Sequence, residues 1–219
     1  DFSAFGGGAA VAASNNGSGV WTATYTLVAG SINATNCNVS VTARDIAGNS
    51  TTTADTTNST VDNWAPVVSS VAAPANYTYR AGQTLNFTIQ FNKAVILNTG
   101  GGTPHLALTL GNETVYADYF VGSGSSTLTF RYLIASGKND SDGIAVGALS
   151  LNGGTMKDAA GNSATLTLNN VASTSSVLVD TTAPTVYSVA VPANYTYRAG
   201  DSLTFMIQFD EAVTVTGTP

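Results

Sequence analysis

The sequence predicts an all-β protein made of tandem β-sandwich units, and three observations carry that prediction. Apolar residues alternate with a period of two almost throughout, clusters of Gly, Asn, Asp and Ser punctuate the alternation, and a block of sequence recurs after 118 residues. Alternation marks strands with one buried face, the small polar clusters are turn chemistry, and a fixed long period marks a repeated structural unit.

The repeat sets the organisation. NYTYRAG occurs at Asn76 to Gly82 and again at Asn194 to Gly200. VDNWAP at Val61 to Pro66 precedes the first copy by the interval at which VDTTAP, Val179 to Pro184, precedes the second. TLNFTIQFNKAV from Thr84 is echoed downstream by SLTFMIQFDEAV from Ser202. The expected domains are therefore 1–61, the C-terminal part of a first unit; 62–183, a complete unit; and 184–219, the N-terminal part of a third. The partial units are expected to be completed by further chain on either side or, in trans, by another copy.

The strands follow in order. In TLNFTIQF, Leu85, Phe87, Ile89 and Phe91 fall on one face and Thr84, Asn86, Thr88 and Gln90 on the other, the pattern of a half-buried antiparallel strand. The same alternation predicts strands at 20–28, 38–44, 105–110, 114–121, 126–134 and 163–169. NTGGG, GSGSS and GKNDSDG separate some of them as turns. Seven or so short strands per unit describe an antiparallel sandwich.

Composition narrows the function classes. Only 9% of residues are charged, well below the roughly 25% of an ordinary soluble domain, so surface polarity comes from hydroxyls and amides. A net charge of −6, with seven basic residues scattered singly, leaves no basic stripe for nucleic acid. No apolar run approaches the roughly 18 residues that span a bilayer as a helix. The single Cys37 has no partner for an intramolecular disulfide and reads as a small core residue.

Several residues then define a likeness. RDIAGNS at Arg44, KDAAGNS at Lys157, VDTTAP at Val179 and the run YRAGDSLTFMIQFDEAVTVTGTP resemble the bacterial immunoglobulin-like repeats of giant secreted, biofilm-associated and RTX-type adhesins. The resemblance covers essentially the whole chain. It implies tandem immunoglobulin-like β-sandwiches of Greek-key antiparallel strands, an extracellular or cell-surface location, and a stalk that extends a binding tip, often with calcium at the junctions. One departure is DNWAP at the first junction, where Trp64 replaces a threonine and is expected to pack between domains or to cap a sandwich.

Oxygen donors give the calcium expectation its residues, because Ca²⁺ takes 6–8 oxygen ligands from carboxylates, amides and carbonyls. Asp45 and Asn49 share one turn, with Asp62 at the junction that follows; Asp158 and Asn162 repeat the turn, with Asp180 at the next junction. Each turn is expected to meet its following junction around one ion. Read without the resemblance, D-x-A-G-N is equally a hairpin turn in which Asp bonds nearby backbone. Asp140 and Asp142 in GKNDSDG form a second acidic loop, either converging on a cation or simply solvated.

No catalytic residue and no enzymatic activity are expected. His105 is the only histidine and reads as a strand-edge residue, which leaves no His-based triad or multi-histidine zinc site. A carbohydrate-binding module is the competing role, with Tyr77, Tyr79, Tyr195, Tyr197, Trp21 and Trp64 as stacking candidates. Tyr77 and Tyr79 recur in both copies, which favours an interior or corner requirement of every unit. Ten N-x-S/T sequons are about twice the chance number, a count that the duplicated motifs inflate, and glycosylation at them would imply an exterior location. The expected partners are neighbouring repeats of the same polypeptide or other copies of the chain, with a surface or glycan ligand at a distal tip. A self-assembling filament subunit, built by strand complementation of split units, is the alternative to the stalk.

Overall fold

A computed structural model describes residues 1–30 and 32–217. It is all-β, with several antiparallel sheets and a short 3₁₀ turn at Ser3–Phe5 as the sole helical element among the described residues.

The alternating run from Thr84 organises the molecule. Leu85, Phe87, Ile89 and Phe91 are each at most 1% exposed. They lie on one 15-residue strand, Thr84–Asn98, about twice the length expected from its alternation. It is one of nine strands between Val68 and Val179: β1 (Val68–Ala72), β2 (Tyr77–Tyr79), β3 (Thr84–Asn98), β4 (His105–Leu110), β5 (Glu113–Val121), β6 (Ser125–Leu133), β7 (Ala145–Ser150), β8 (Thr155–Lys157) and β9 (Val177–Val179). The main sheet has the order β7-β4-β5-β6-β3-β8, with β1 also paired to β3, and β2 pairs in parallel with β9. Every residue of the contiguous apolar core lies between Val68 and Val179, including Leu106, Leu108, Leu128, Phe130 and Ile144. Burying one such side chain contributes about 1.5–3 kcal/mol, so this core dominates the stability of the region.

The long strand changes neighbours partway along. Gln90 faces Thr127 of β6, but Val95 faces Ser125, so the register shifts across the stretch that contains Asn92, Lys93 and Ala94. Beyond it, Ile96–Asn98 pairs with β8. Such an irregularity bends a strand and re-aims its side chains, and Lys93 is one of the side chains it re-aims.

The flanking segments form only two-stranded sheets: Ser14–Asn15 with Trp21–Thr22, Ala34–Cys37 with Ser59–Val61, Ser40–Arg44 with Ser50–Ala54, and Val186–Ala190 with Met206–Phe209. The last pair reproduces the central region 118 residues on. Val186 faces Phe209 and Val189 faces Ile207, as Val68 faces Phe91 and Val71 faces Ile89, with the same register shift between them. The Tyr197 hydroxyl donates to the Ala193 carbonyl at 3.0 Å, as Tyr79 does to Ala75 at 3.1 Å. The environment differs sharply: Phe205 is 59% exposed, whereas Phe87 is fully buried. Val186, Val189, Leu203, Ile207 and Val213 are likewise open, while Val68, Val71, Leu85, Ile89 and Val95 are in the core.

Two expected strands are largely missing. Of 20–28, only Trp21–Thr22 pairs as a strand, and the segment is mostly exposed. Residues 163–169 make only isolated contacts, with Thr165 bridging Val67 in parallel and Ser163 bridging Lys157. Side-chain amides replace part of a ladder there, Asn169 donating to the Val68 carbonyl at 3.0 Å and Asn170 to that of Ser69 at 2.9 Å.

Candidate functional site

The chemistry-bearing residues gather at two places, where chain enters the region of the Val68–Val179 core and where it leaves. At the N-terminal clamp the register shift in β3 presents Lys93 to a turn that follows β8. That turn is closed by its own sequence. Asp158 N–H donates to the Asn162 carbonyl at 3.0 Å and Gly161 N–H to the Asp158 carbonyl at 3.1 Å. Gly161 sits at φ +92°, the left-handed region that glycine enters without a Cβ penalty. Asn162 then donates from its backbone to Asp158 Oδ1 and from Nδ2 to Oδ2, both at 2.9 Å.

Lys93 completes the cluster. Its Nζ lies 2.7 and 2.8 Å from the two carboxylate oxygens of Asp62, 2.9 Å from Asp158 Oδ2 and 2.7 Å from the Trp64 carbonyl. Asn162 Nδ2 also donates to the Asp62 carbonyl at 2.9 Å. The Asp158 side chain is only 4% exposed, against 25% for Lys93 and 32% for Asp62. Burial pushes the Asp158 carboxyl up, but hydrogen bonds from Asn162 and Lys93, with the lysine's charge, outweigh it and hold the group below its ordinary value. Burial likewise opposes the Lys93 charge, and the bonds to Asp62 and Asp158 reverse it, raising the ammonium above its ordinary value.

The C-terminal clamp is the GKNDSDG loop. Asp140 is 4% exposed and exchanges backbone hydrogen bonds with Val179 at 2.7 and 2.8 Å. Its carboxylate accepts from Gly111 N–H and Gly143 N–H, each at 2.7 Å. Gly111 has φ +58°, and a Cβ there would come within 2.6 Å of the Asn139 carbonyl, so this hairpin turn requires glycine. Asn139 Oδ1 accepts from Thr181 N–H at 2.7 Å, while Asn139 Nδ2 donates to Thr182 Oγ1 at 2.8 Å. Asp142 is exposed and Asp180 caps Thr182 N–H at 2.9 Å; both line one open cleft with Asp140.

The structure thus regroups the expected ligands. Asp158 and Asn162 meet Asp62 of the preceding junction; among the described residues, no hydrogen bond or ion pair joins them to Asp180, and none joins Asp45 or Asn49 to Asp62. The Asp45–Asn49 turn repeats the Asp158–Asn162 geometry, with Asn49 N–H and Nδ2 each 2.8 Å from an Asp45 oxygen, but it lies open to solvent. The donor set at Asp62, Asp158 and Trp64 does not fit an added calcium ion. Lys93 engages three of its carboxylate oxygens and its carbonyl, and a second cation there would face an ammonium at contact distance.

The remaining residues are placed as follows. Trp64 is 60% exposed, and only its backbone serves the clamp. Tyr77 is exposed and meets Tyr79 edge-on, at 5.3 Å between ring centroids, and Tyr79 packs partly against the core. His105 begins β4 and lies against Tyr116, their rings 4.4 Å apart. Cys37 is a buried free thiol. Lys93 is the residue that sequence reasoning missed; its signal was a lone cation between strand-forming residues in a chain poor in charge. Comparison with known family models, with curated proteins and with solved structures gives no match to this chain.

Proposed function

We propose that this chain is a load-bearing segment of an extracellular stalk or surface fibre, built from tandem immunoglobulin-like β-sandwiches. One observation carries the reading. The Val186–Phe209 segment reproduces the register, the tyrosine-to-carbonyl bond and the turn of the central unit's opening, yet leaves exposed the positions that the central unit buries. A segment with these properties is a second copy of the same unit's opening, and repetition of one unit is how an array gains length. The parallel pairing of β2 with β9 and the sharing of β3 between β1, β6 and β8 suit a sandwich closed by its second and last strands.

The two clamps suit load-bearing. Force on the array enters the central unit at Asp62 and leaves at Asp180. Lys93 and Asn162 hold the first end, and Asn139 and Asp140 hold the second, so the first clamp needs no metal. Calcium, if the array uses it, acts at other junctions. Stretching single chains by both termini tests the reading. The central unit is expected to unfold in one event that releases about 40 nm of contour, at about 3.3–3.6 Å per residue. Gradual extension at low force without a discrete event would refute a mechanical role.

A further inference from the structure

The outer face of the main sheet carries a row of polar side chains that the core does not use. Asp118 of β5 stands opposite His105 of β4 and Arg131 of β6, and Arg131 stands opposite Asn86 of β3, so the row crosses four strands. Tyr116 and Phe120 flank Asp118 along β5 at 50% and 51% exposure, and Leu133, 62% exposed, follows Arg131 on the same face of β6. Val115 and Ala117 of β5, with Leu128 and Phe130 of β6, turn the other way into the core. Tyr116, Asp118, Phe120, Arg131 and Leu133 line an open cleft of about 380 Å³, at the small end of the roughly 300–1,000 Å³ of small-molecule sites.

Opposite charges that face one another across strands ordinarily pair, and these two do not. The Arg131 guanidinium lies 3.4 Å over the Phe120 ring, and its Nε donates to Asn86 Oδ1 at 2.9 Å. The cation–π contact and that hydrogen bond hold the side chain in place. Among the described residues, neither the Arg131 Nη groups nor the exposed Asp118 carboxylate has a hydrogen-bond or ion-pair partner in the protein.

A held donor beside an open acceptor suits a hydroxyl, which donates one hydrogen bond and accepts two. The carboxylate repels a phosphate and the guanidinium repels an ammonium, so the charge pattern selects a neutral ligand. The Tyr116 ring beside Leu133 adds an apolar platform, and a pyranose combines hydroxyls at its rim with C–H groups on its face. The two half-exposed rings and Leu133 offer on the order of 300 Å² of apolar surface, well short of the roughly 800 Å² that each partner buries in a stable protein complex.

We propose that this face binds a neutral glycan, Tyr116 stacking on a pyranose, Asp118 accepting hydrogen bonds from its hydroxyls and Arg131 donating to them. Phe120 and Asn86 are positioning residues for Arg131. The site uses no residue of either clamp, so it stands independently of the array reading.

Isothermal titration of the full 219-residue chain with cellohexaose, mannohexaose and N-acetylated chitohexaose tests this, with inorganic phosphate as the charged probe. At least one hexaose is expected to bind with a dissociation constant of about 1 mM or tighter, and phosphate not to bind. Tyr116→Ala and Asp118→Asn are each expected to weaken that binding about tenfold or more, and to melt with the wild type because both side chains are exposed. Arg131→Lys is expected to weaken it as well, since an ammonium lacks the planar fork and the stack on Phe120, whereas Tyr77→Ala leaves it unchanged. No binding of any hexaose at about 10 mM, or binding that Tyr116→Ala and Asp118→Asn leave intact, overturns the site. Binding of phosphate in place of the hexaoses overturns the neutral class of ligand.

Discussion

Replacing Lys93 by methionine tests the N-terminal clamp most sharply. The substitution keeps an unbranched apolar stem, one atom shorter, and removes the charge that meets three carboxylate oxygens within 2.9 Å. Removing one partner of a buried pair costs about 3–5 kcal/mol when the other charge stays buried. Asp158 stays buried at 4% side-chain exposure, but Asp62 at 32% is screened by water, and Asn162 still bonds both Asp158 oxygens. The expected loss is therefore about 2–3 kcal/mol. For a unit of this size, 1 kcal/mol shifts the melting temperature by about 4 °C, so Lys93→Met is expected to melt about 8–12 °C lower in calorimetry or by Trp fluorescence. Adding Asp158→Asn is expected to recover part of the loss by removing the stranded charge. A Lys93→Met chain within about 0.5 kcal/mol of wild type would refute the claim that the ammonium holds this junction.

Other expectations follow from the same geometry. The clamp's contribution should be flat across the neutral range. The lowered Asp158 value places its stabilisation above the ordinary 3.8, fading as pH falls through the folded value, and the raised Lys93 value places its own below the ordinary 10.5, fading as pH rises through the folded value; denaturant midpoints across pH, for wild type and Lys93→Met, measure this. Asp140→Ala leaves the Gly111 and Gly143 amides without their acceptor and is expected to cost about 2–4 kcal/mol by chemical denaturation, with faster amide exchange at Val179. Phe87→Ala should cost about 3–5 kcal/mol, whereas Phe205→Ala in monomeric chain should stay within about 0.5 kcal/mol, although the two occupy equivalent places. Any shift in melting temperature between millimolar calcium and chelator is expected to be the same in wild type and Asp62→Ala, and a rise abolished by Asp62→Ala would show a metal where the lysine is placed.

Local pattern was legible in the sequence and long-range proximity was not. Leu85, Phe87, Ile89 and Phe91 announce a buried strand face because alternation acts over neighbouring residues, and His105–Leu110 follows the same rule. The turn chemistry of Asp158, Gly161 and Asn162 is equally local, so its hydrogen bonds follow from residue type. The partner of that turn is not local. Sequence order suggested Asp180, whereas folding brings Asp158 to Asp62, because β8 pairs with the far half of β3 and so sets the turn beside the start of the unit. Lys93 was hidden for the same reason: its direction depends on a register shift between Gln90 and Val95 that no periodicity marks. The strand expected at 163–169 fails because asparagine side chains, which the alternation does not weigh, take over backbone carbonyls of β1.

The central claim is that residues 185–217 are a unit's opening without its cover, and grafting the cover onto it measures this most directly. A second copy of residues 98–184 placed after Val215, the counterpart of Leu97, supplies the strands that bury Phe87 in the central unit. Amide exchange across 203–209 is predicted to slow to the rates of 85–91, with a second cooperative melting transition. Exchange that stays fast across 203–209 in the grafted chain would contradict the equivalence on which the array rests.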